Sequence, residues 1–196
     1  EWITMKSYKE AVKKVIFDGS FHFIKLAQNK VNNNFFIFDE LKNPNCRFIE
    51  RAQLFNKLNF HSIIRPIDII KPETENDFGI IILPFTLNGN LDSLIQNISI
   101  EYTNKCIILY GIAMGMLKLH DQDIAHKNLF PSNILINNEF EPWISGFIIP
   151  YSQAYYDISY VSPEVLSLNS NKKVNFDERF SDIYSFGMIA YYLFTG

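Results

Sequence analysis

At Pro84 the chain changes its hydrophobic period, and this constrains its fold more than any other feature. Before that point the apolar residues come in short runs broken by turn signals. Ala11 to Phe17 and Phe21 to Ala27 flank Asp18-Gly19-Ser20, Asn32-Asn33-Asn34 follows, and Phe35 to Phe38 is a third, aromatic run. Such runs predict an antiparallel meander. Phe48, Ala52 and Phe55 share a face at helical spacing and predict one helix among the strands, from Asn45 to Asn59. Ile63 to Ile70 and Gly79 to Leu83 are further strands, separated by a polar turn at Lys71 to Asp77. Pro84 to Asn90, with its Asn-Gly, is a linker.

Beyond the linker the pattern is helical. Leu91 to Gln96 is short, and Asn104 to His120 is long, with Ile108, Ile112, Gly115, Met116 and Leu119 on one buried face. Ile134-Leu135-Ile136, Asn137-Asn138 and Pro142-Trp143-Ile144 predict a small hairpin. Ser181 to Phe194 is so apolar that burial on nearly all sides is expected.

Composition narrows the classes. A 47% hydrophobic content in 196 residues supports a packed core. A net charge of −3 without a basic block argues against nucleic acid. The longest apolar run, Gly79 to Phe85, is too short for a bilayer, so no membrane insertion is expected. Cys46 and Cys106 fit no metal or redox spacing, and reduced thiols suit a cytoplasmic protein. The chain does not begin with Met, carries no signal-peptide pattern and ends on its last helix, so a piece of a longer protein is expected.

The local motifs are more specific. His126-Lys127-Asn128-Leu129-Phe130-Pro131-Ser132-Asn133 resembles the protein-kinase catalytic loop His-Arg-Asp-Leu-x-x-x-Asn. Gly146-Phe147-Ile148 stands where Asp-Phe-Gly belongs, and Ser162-Pro163-Glu164 where Ala-Pro-Glu belongs. Gly19-Ser20-Phe21 is similar to the centre of the glycine-rich loop, Leu87 to Leu91 to the stretch after the hinge, and Ser181 to Gly187 to the start of the large buried helix. The resemblance implies an α+β, bilobal, protein kinase-like fold. It has a β-rich N-lobe over 1–83, a hinge over 84–90 and an incomplete helical C-lobe over 91–196.

The resemblance also shows what has been replaced. The lysine that contacts the phosphates falls on Phe38, which supplies no cation. Its partner glutamate falls on Arg51, or on Glu50 with a one-residue shift. The catalytic aspartate falls on Asn128, whose amide takes up no proton at neutral pH. General-base help is worth about 10²–10⁴ in rate, roughly 3–5 kcal/mol of barrier. The metal-binding aspartate falls on Gly146, which leaves Asn133 as the surviving ligand position. Phe17 and His22 stand at the outer positions of the glycine loop around Gly19.

Leu83 is the implied gatekeeper, and adenine would read backbone groups of Pro84 and Thr86. Phe55, His126, Phe147, Glu164 and Asp182 match structural positions of the family, while Pro66 replaces a larger apolar residue. The expectation is an inactive pseudokinase in signalling. It would bind other proteins, including an active kinase, with no cofactor, weak ATP binding at most and no magnesium. Two alternatives remain. One is an unconventional active kinase in which His22 or Lys25 supplies the lost charge; the other is an interaction module of a larger protein. Tyr155, Tyr156, Ser159 and Tyr160 are read as packing residues of a short connection rather than phosphosites, and Trp143 as a packing residue.

Overall fold

The computed structural model describes residues 12–18, 22–29, 33–42, 53–54, 57–71, 79–146, 157–168 and 176–196. The chain divides into two compact units, Glu1–Asn59 with Arg65–Phe85, and Phe60–Ile64 with Thr86–Gly196.

The first unit is an antiparallel sheet of β1 (Val12–Asp18), β2 (His22–Gln28), β3 (Phe35–Leu41), β4 (Asp68–Ile70) and β5 (Ile80–Pro84), in the order β1-β2-β3-β5-β4. β-branched and aromatic side chains dominate β3 and β5, as a half-buried pleated surface requires. The β2–β3 connection turns at Asn33, whose φ of 59° is one that asparagine tolerates, and its N–H donates to the Asn29 carbonyl at 2.9 Å. Phe38, Ala27, Ile80 and Ile82 form a buried cluster, with Phe36 and Ile70 against it.

The expected strand from Ile63 to Ile70 is shorter. Only Asp68–Ile70 joins the sheet, and Ile63 belongs to the second unit, where it bridges to Ile144. Pro66 interrupts the run because it has no N–H for a ladder. The expected helix over 45–59 lies largely outside the described residues. Gln53, Leu54 and Lys57 within it are helical, and the Leu58 N–H donates to the Leu54 carbonyl at 2.9 Å.

The second unit is mainly helical. It contains α1 (Leu91–Asn97), α2 (Tyr102–His120), the hairpin β6 (Ile134–Ile136) and β7 (Pro142–Ile144), α3 (Pro163–Leu168) and α4 (Glu178–Thr195). Asn90 caps α1 by accepting from the Ser93 N–H at 2.8 Å. Two glycines of α2 let the hairpin approach. A Cβ on Gly111 would lie 2.4 Å from Pro142 Cγ, and one on Gly115 would lie 2.6 Å from Ile144 Cδ1.

α4 corrects the expectation of burial on nearly all sides. Ser181, Asp182, Ser185, Ile189 and Leu193 are buried, while Phe180, Ile183, Tyr184, Tyr191 and Phe194 are exposed. Its high apolar content therefore does not mark a helix enclosed all round. One side of it is packed, and the small polar residues on that side are there to hydrogen-bond rather than to fill volume.

Candidate functional site

The loop from His126 to Asn133 is held from below by one carboxylate. Asp182, buried on α4, accepts from the backbone N–H of His126 at 2.8 Å and of Lys127 at 2.9 Å, and its Oδ2 lies 2.9 Å from His120 Nε2. Lys127 has a left-handed φ of 67°, uncommon for a residue with a Cβ, so these bonds hold a turn that is strained on its own. Its ammonium pairs with Glu178 in the first turn of α4.

His126 is fully buried. Its Nδ1 accepts from the Asn128 N–H at 3.2 Å and its Nε2 lies 2.9 Å from the Ser145 carbonyl, a set that fits a neutral ring with the proton on Nε2. Burial pushes its pKa below the usual histidine value, against the opposing pull of the Asp182 charge. The imidazole is thus a strut between the loop and the strand end after β7.

Asn128, Asn133 and Gly146 come together in this unit. Asn133 Nδ2 donates to the Asn128 carbonyl at 2.7 Å, and Asn128 Nδ2 lies 3.4 Å from the Gly146 carbonyl. The Asn133 carbonyl accepts from both the N–H and the hydroxyl of Ser145, at 2.8 and 2.9 Å. Asn128 Oδ1 is buried without a hydrogen-bond partner among the described residues. Gly146 has a φ of 74°, and a Cβ there would lie 2.6–2.7 Å from three atoms of the Asn133 amide. Asn133 fills the volume that a side chain at 146 needs.

These residues do not fit a magnesium ion. A hard dication takes carboxylate or phosphate oxygen. Here one position has no side chain, and the amide of Asn133 offers at most one neutral oxygen in place of carboxylates. Below the loop, Lys127, Asn128, Tyr160, Ser181, Asp182 and Ser185 line a cavity of about 20 Å³. That is room for about one water molecule and no larger ligand.

The segment before α3 is pinned to the same helix. Ser185 Oγ donates to the Tyr160 carbonyl at 2.7 Å, and Ser162 Oγ to Ser181 Oγ at 3.0 Å. Burial, then the nearby Asp157 charge, pushes the Tyr160 hydroxyl up to about 12. Ser159 is exposed, and Glu164 lies exposed in the first turn of α3. Tyr155 and Tyr156 lie outside the described residues.

In the sheet unit, Leu83 is buried and Pro84 ends β5. Phe38 is buried in the apolar cluster. Lys25 is ion-paired with Glu40 and stands directly opposite Phe38 across the β2–β3 ladder. Thr86, in the second unit, is buried and its hydroxyl donates to the Gly89 carbonyl at 3.2 Å. Trp143 is half-buried opposite Leu135. Gly19, Glu50, Arg51, Phe55, Phe147 and the His22 side chain fall outside the described residues.

Sequence reasoning missed the parts played by His120, Ser145, Glu178 and Ser185. Their partners lie 62, 12, 51 and 25 residues away in the chain, and no local spacing announces them.

The comparisons with known proteins now bear on this geometry. The family model "Protein tyrosine and serine/threonine kinase" matches residues 37–196. The chain belongs to the protein kinase family. A receptor-like protein kinase of Ipomoea nil is 24% identical over 177 residues, covering 81% of this chain and 15% of the relative. The serine/threonine-protein kinase cds1 of Schizosaccharomyces pombe is 33% identical over 133 residues, covering 62% of this chain and 29% of the relative. The human receptor-interacting serine/threonine-protein kinase 1 is 26% identical over 144 residues, covering 70% of this chain and 21% of the relative. The chain thus spans less than a third of the length of these relatives.

A crystal structure of Rad53 in complex with AMP-PNP superposes with a TM-score of 0.71 at 20% identity, covering 93% of this chain and 47% of that one. That likeness establishes the kinase-like α+β fold, a sheet lobe and part of a helical lobe. No helix among the described residues is long and apolar enough to cross a membrane.

Proposed function

We propose that this kinase-family chain has given up phosphoryl transfer and acts as a binding module, a scaffold or allosteric partner for another protein, in the cytoplasm. The observation that carries the reading is the amide network at Asn128, Asn133 and Gly146. Phosphoryl transfer runs on positioning and on neutralised phosphate charge. A carboxamide at the base position, and a glycine whose missing side chain is replaced in space by Asn133, supply neither. The backbone of the same loop is meanwhile anchored to Asp182 at His126 and Lys127. Such a frame keeps a surface for partners without needing the chemistry.

A second reading is favoured by the company the chain keeps. Its relatives are named as serine/threonine kinases, and the matching crystal structure holds AMP-PNP. Under that reading the chain binds ATP and transfers phosphate through relocated groups. Radiolabelled-phosphate transfer by the whole protein, with and without Mg²⁺, separates the two. No incorporation above background is expected. Mg²⁺-dependent turnover would establish the second reading and end the first, whichever groups supply the charge.

A further inference from the structure

Successive strand residues point to opposite faces, and directly paired residues share a face. The three central strands are paired without a slip, from His22↔Leu41 to Gln28↔Phe35 and from Phe36↔Pro84 to Glu40↔Ile80. Two faces follow. One carries Ala27, Phe36, Phe38, Ile80 and Ile82, which are the members of the apolar cluster. The other carries Ile24, Ile37, Asp39, Ile81 and Leu83.

Leu83 is the implied gatekeeper, and a residue that meets the same ligand must share its face. From β3 that face offers Ile37 and Asp39. Phe38 would reach it only through a one-residue slip of β3, and such a slip would move Phe36 and Phe38 out of the apolar cluster. Lys25, paired with Glu40, is on the cluster's face too, away from Leu83.

We infer that Asp39, not Phe38, stands at the register of the phosphate-binding lysine, so that the Leu83 face of the sheet offers a polyphosphate a carboxylate where the family offers a cation. Asp39 is 3% exposed and has a partner inside the protein, so it is a group built into the sheet rather than a solvated surface carboxylate. The inference rests on reading this sheet as a kinase N-lobe. It deepens the proposed loss of phosphoryl transfer by giving a reason for poor polyphosphate binding that is independent of the catalytic loop.

Fluorescence titration of the whole protein with ATP and with adenosine, in the presence of a chelator, tests it. Asp39→Asn keeps the shape and removes the charge. It should tighten ATP binding by about tenfold or more and leave adenosine binding unchanged. The gain should fall short of the roughly hundredfold that an uncompensated charge about 6 Å from a phosphate would give at an effective dielectric of roughly 20, because Asp39 has a partner inside the protein. Asp39→Lys should tighten ATP further. Phe38→Lys should lower the thermal midpoint and gain no ATP affinity. A gain of ATP affinity in Phe38→Lys but not in Asp39→Lys overturns the register. An unchanged ATP-to-adenosine ratio in Asp39→Asn overturns the electrostatic claim, and if Asp39→Lys does not fold, this isosteric variant decides alone. Phosphate transfer by the unaltered protein would refute the proposed function and leave these binding outcomes to be read separately.

Discussion

The two units of this protein hold their shape by different means. The sheet unit is built on apolar pairing, with Ala27, Phe38, Ile80 and Ile82 closing on one another. The helical unit is built around charge, with one carboxylate, Asp182, bonded to two backbone N–H groups and a histidine. The difference teaches where change is tolerated. An apolar core accepts many residues of similar volume. A buried hydrogen-bonded charge accepts almost none, because removing one partner strands the others. The apolar positions of the sheet are thus the ones free to vary, while the anchor of the loop from His126 to Asn133 is not.

The largest effect should come from breaking that anchor. Asp182→Ala leaves the N–H groups of His126 and Lys127 without their acceptor and should cost roughly 3–5 kcal/mol. Urea denaturation followed by circular dichroism measures it. A loss below about 1 kcal/mol would mean that the loop holds itself and that the contrast between the units is false.

Restoring the family's aspartate should hurt rather than help. Asn128 is buried, and its Nδ2 reaches the Gly146 carbonyl only at 3.4 Å. Asn128→Asp places a carboxylate there with no cation described beside it, and should cost roughly 1–3 kcal/mol at neutral pH. Burial would raise the pKa of the new carboxyl, so the loss should shrink as the pH falls. Phosphate transfer should not appear. Gly146→Ala tests the adjacent closure. Its left-handed φ alone costs about 1–2 kcal/mol with a Cβ present, and the collision with Asn133 adds to that. Made together with Asn133→Ala, the substitution should lose the collision and keep the strain, which a double-mutant cycle resolves.

In the sheet, by contrast, Phe38→Leu should cost about 1–2 kcal/mol, the loss of part of one buried apolar side chain. A cost as large as that of Asp182→Ala would erase the distinction.

What the sequence disclosed follows the same division. The strands, the hairpin and the long helices were legible because period and turn chemistry are local. β1, β2 and β5 fall within a residue or so of their expected ends, while β3 runs three residues past Phe38. The family was legible in the loop from His126 to Asn133 taken together with the motifs at Gly19, Leu87, Gly146, Ser162 and Ser181, in order along the chain. Which residue of β3 faces Leu83 was not legible, because Phe38 and Asp39 are neighbours in sequence and only the pairing with β5 separates their faces. The exposure of α4's outer side was hidden for a similar reason. Phe180, Ile183 and Tyr191 look like core residues until the positions that pack are known.

The smallest expected effect concerns pH. His126 is buried between Asp182, which favours its charged form, and His120, which opposes it, with the Ser145 carbonyl on its far nitrogen. Burial dominates, so its folded pKa lies below the ordinary 6.5. Between those two values the unfolded chain binds a proton that the folded one refuses, and stability then rises with pH. His126 therefore contributes fully above about 6.5 and loses its contribution as the pH falls toward its folded value. Denaturation midpoints of the whole protein measured from pH 8 down to 5 should fall, and His126→Asn should flatten that slope while Phe38→Leu leaves it unchanged. An equal slope in His126→Asn would place the acid sensitivity elsewhere, though not at Asp177. Its carboxyl is held to about 2 by the Arg179 guanidinium, so it can act only in a far more acidic range.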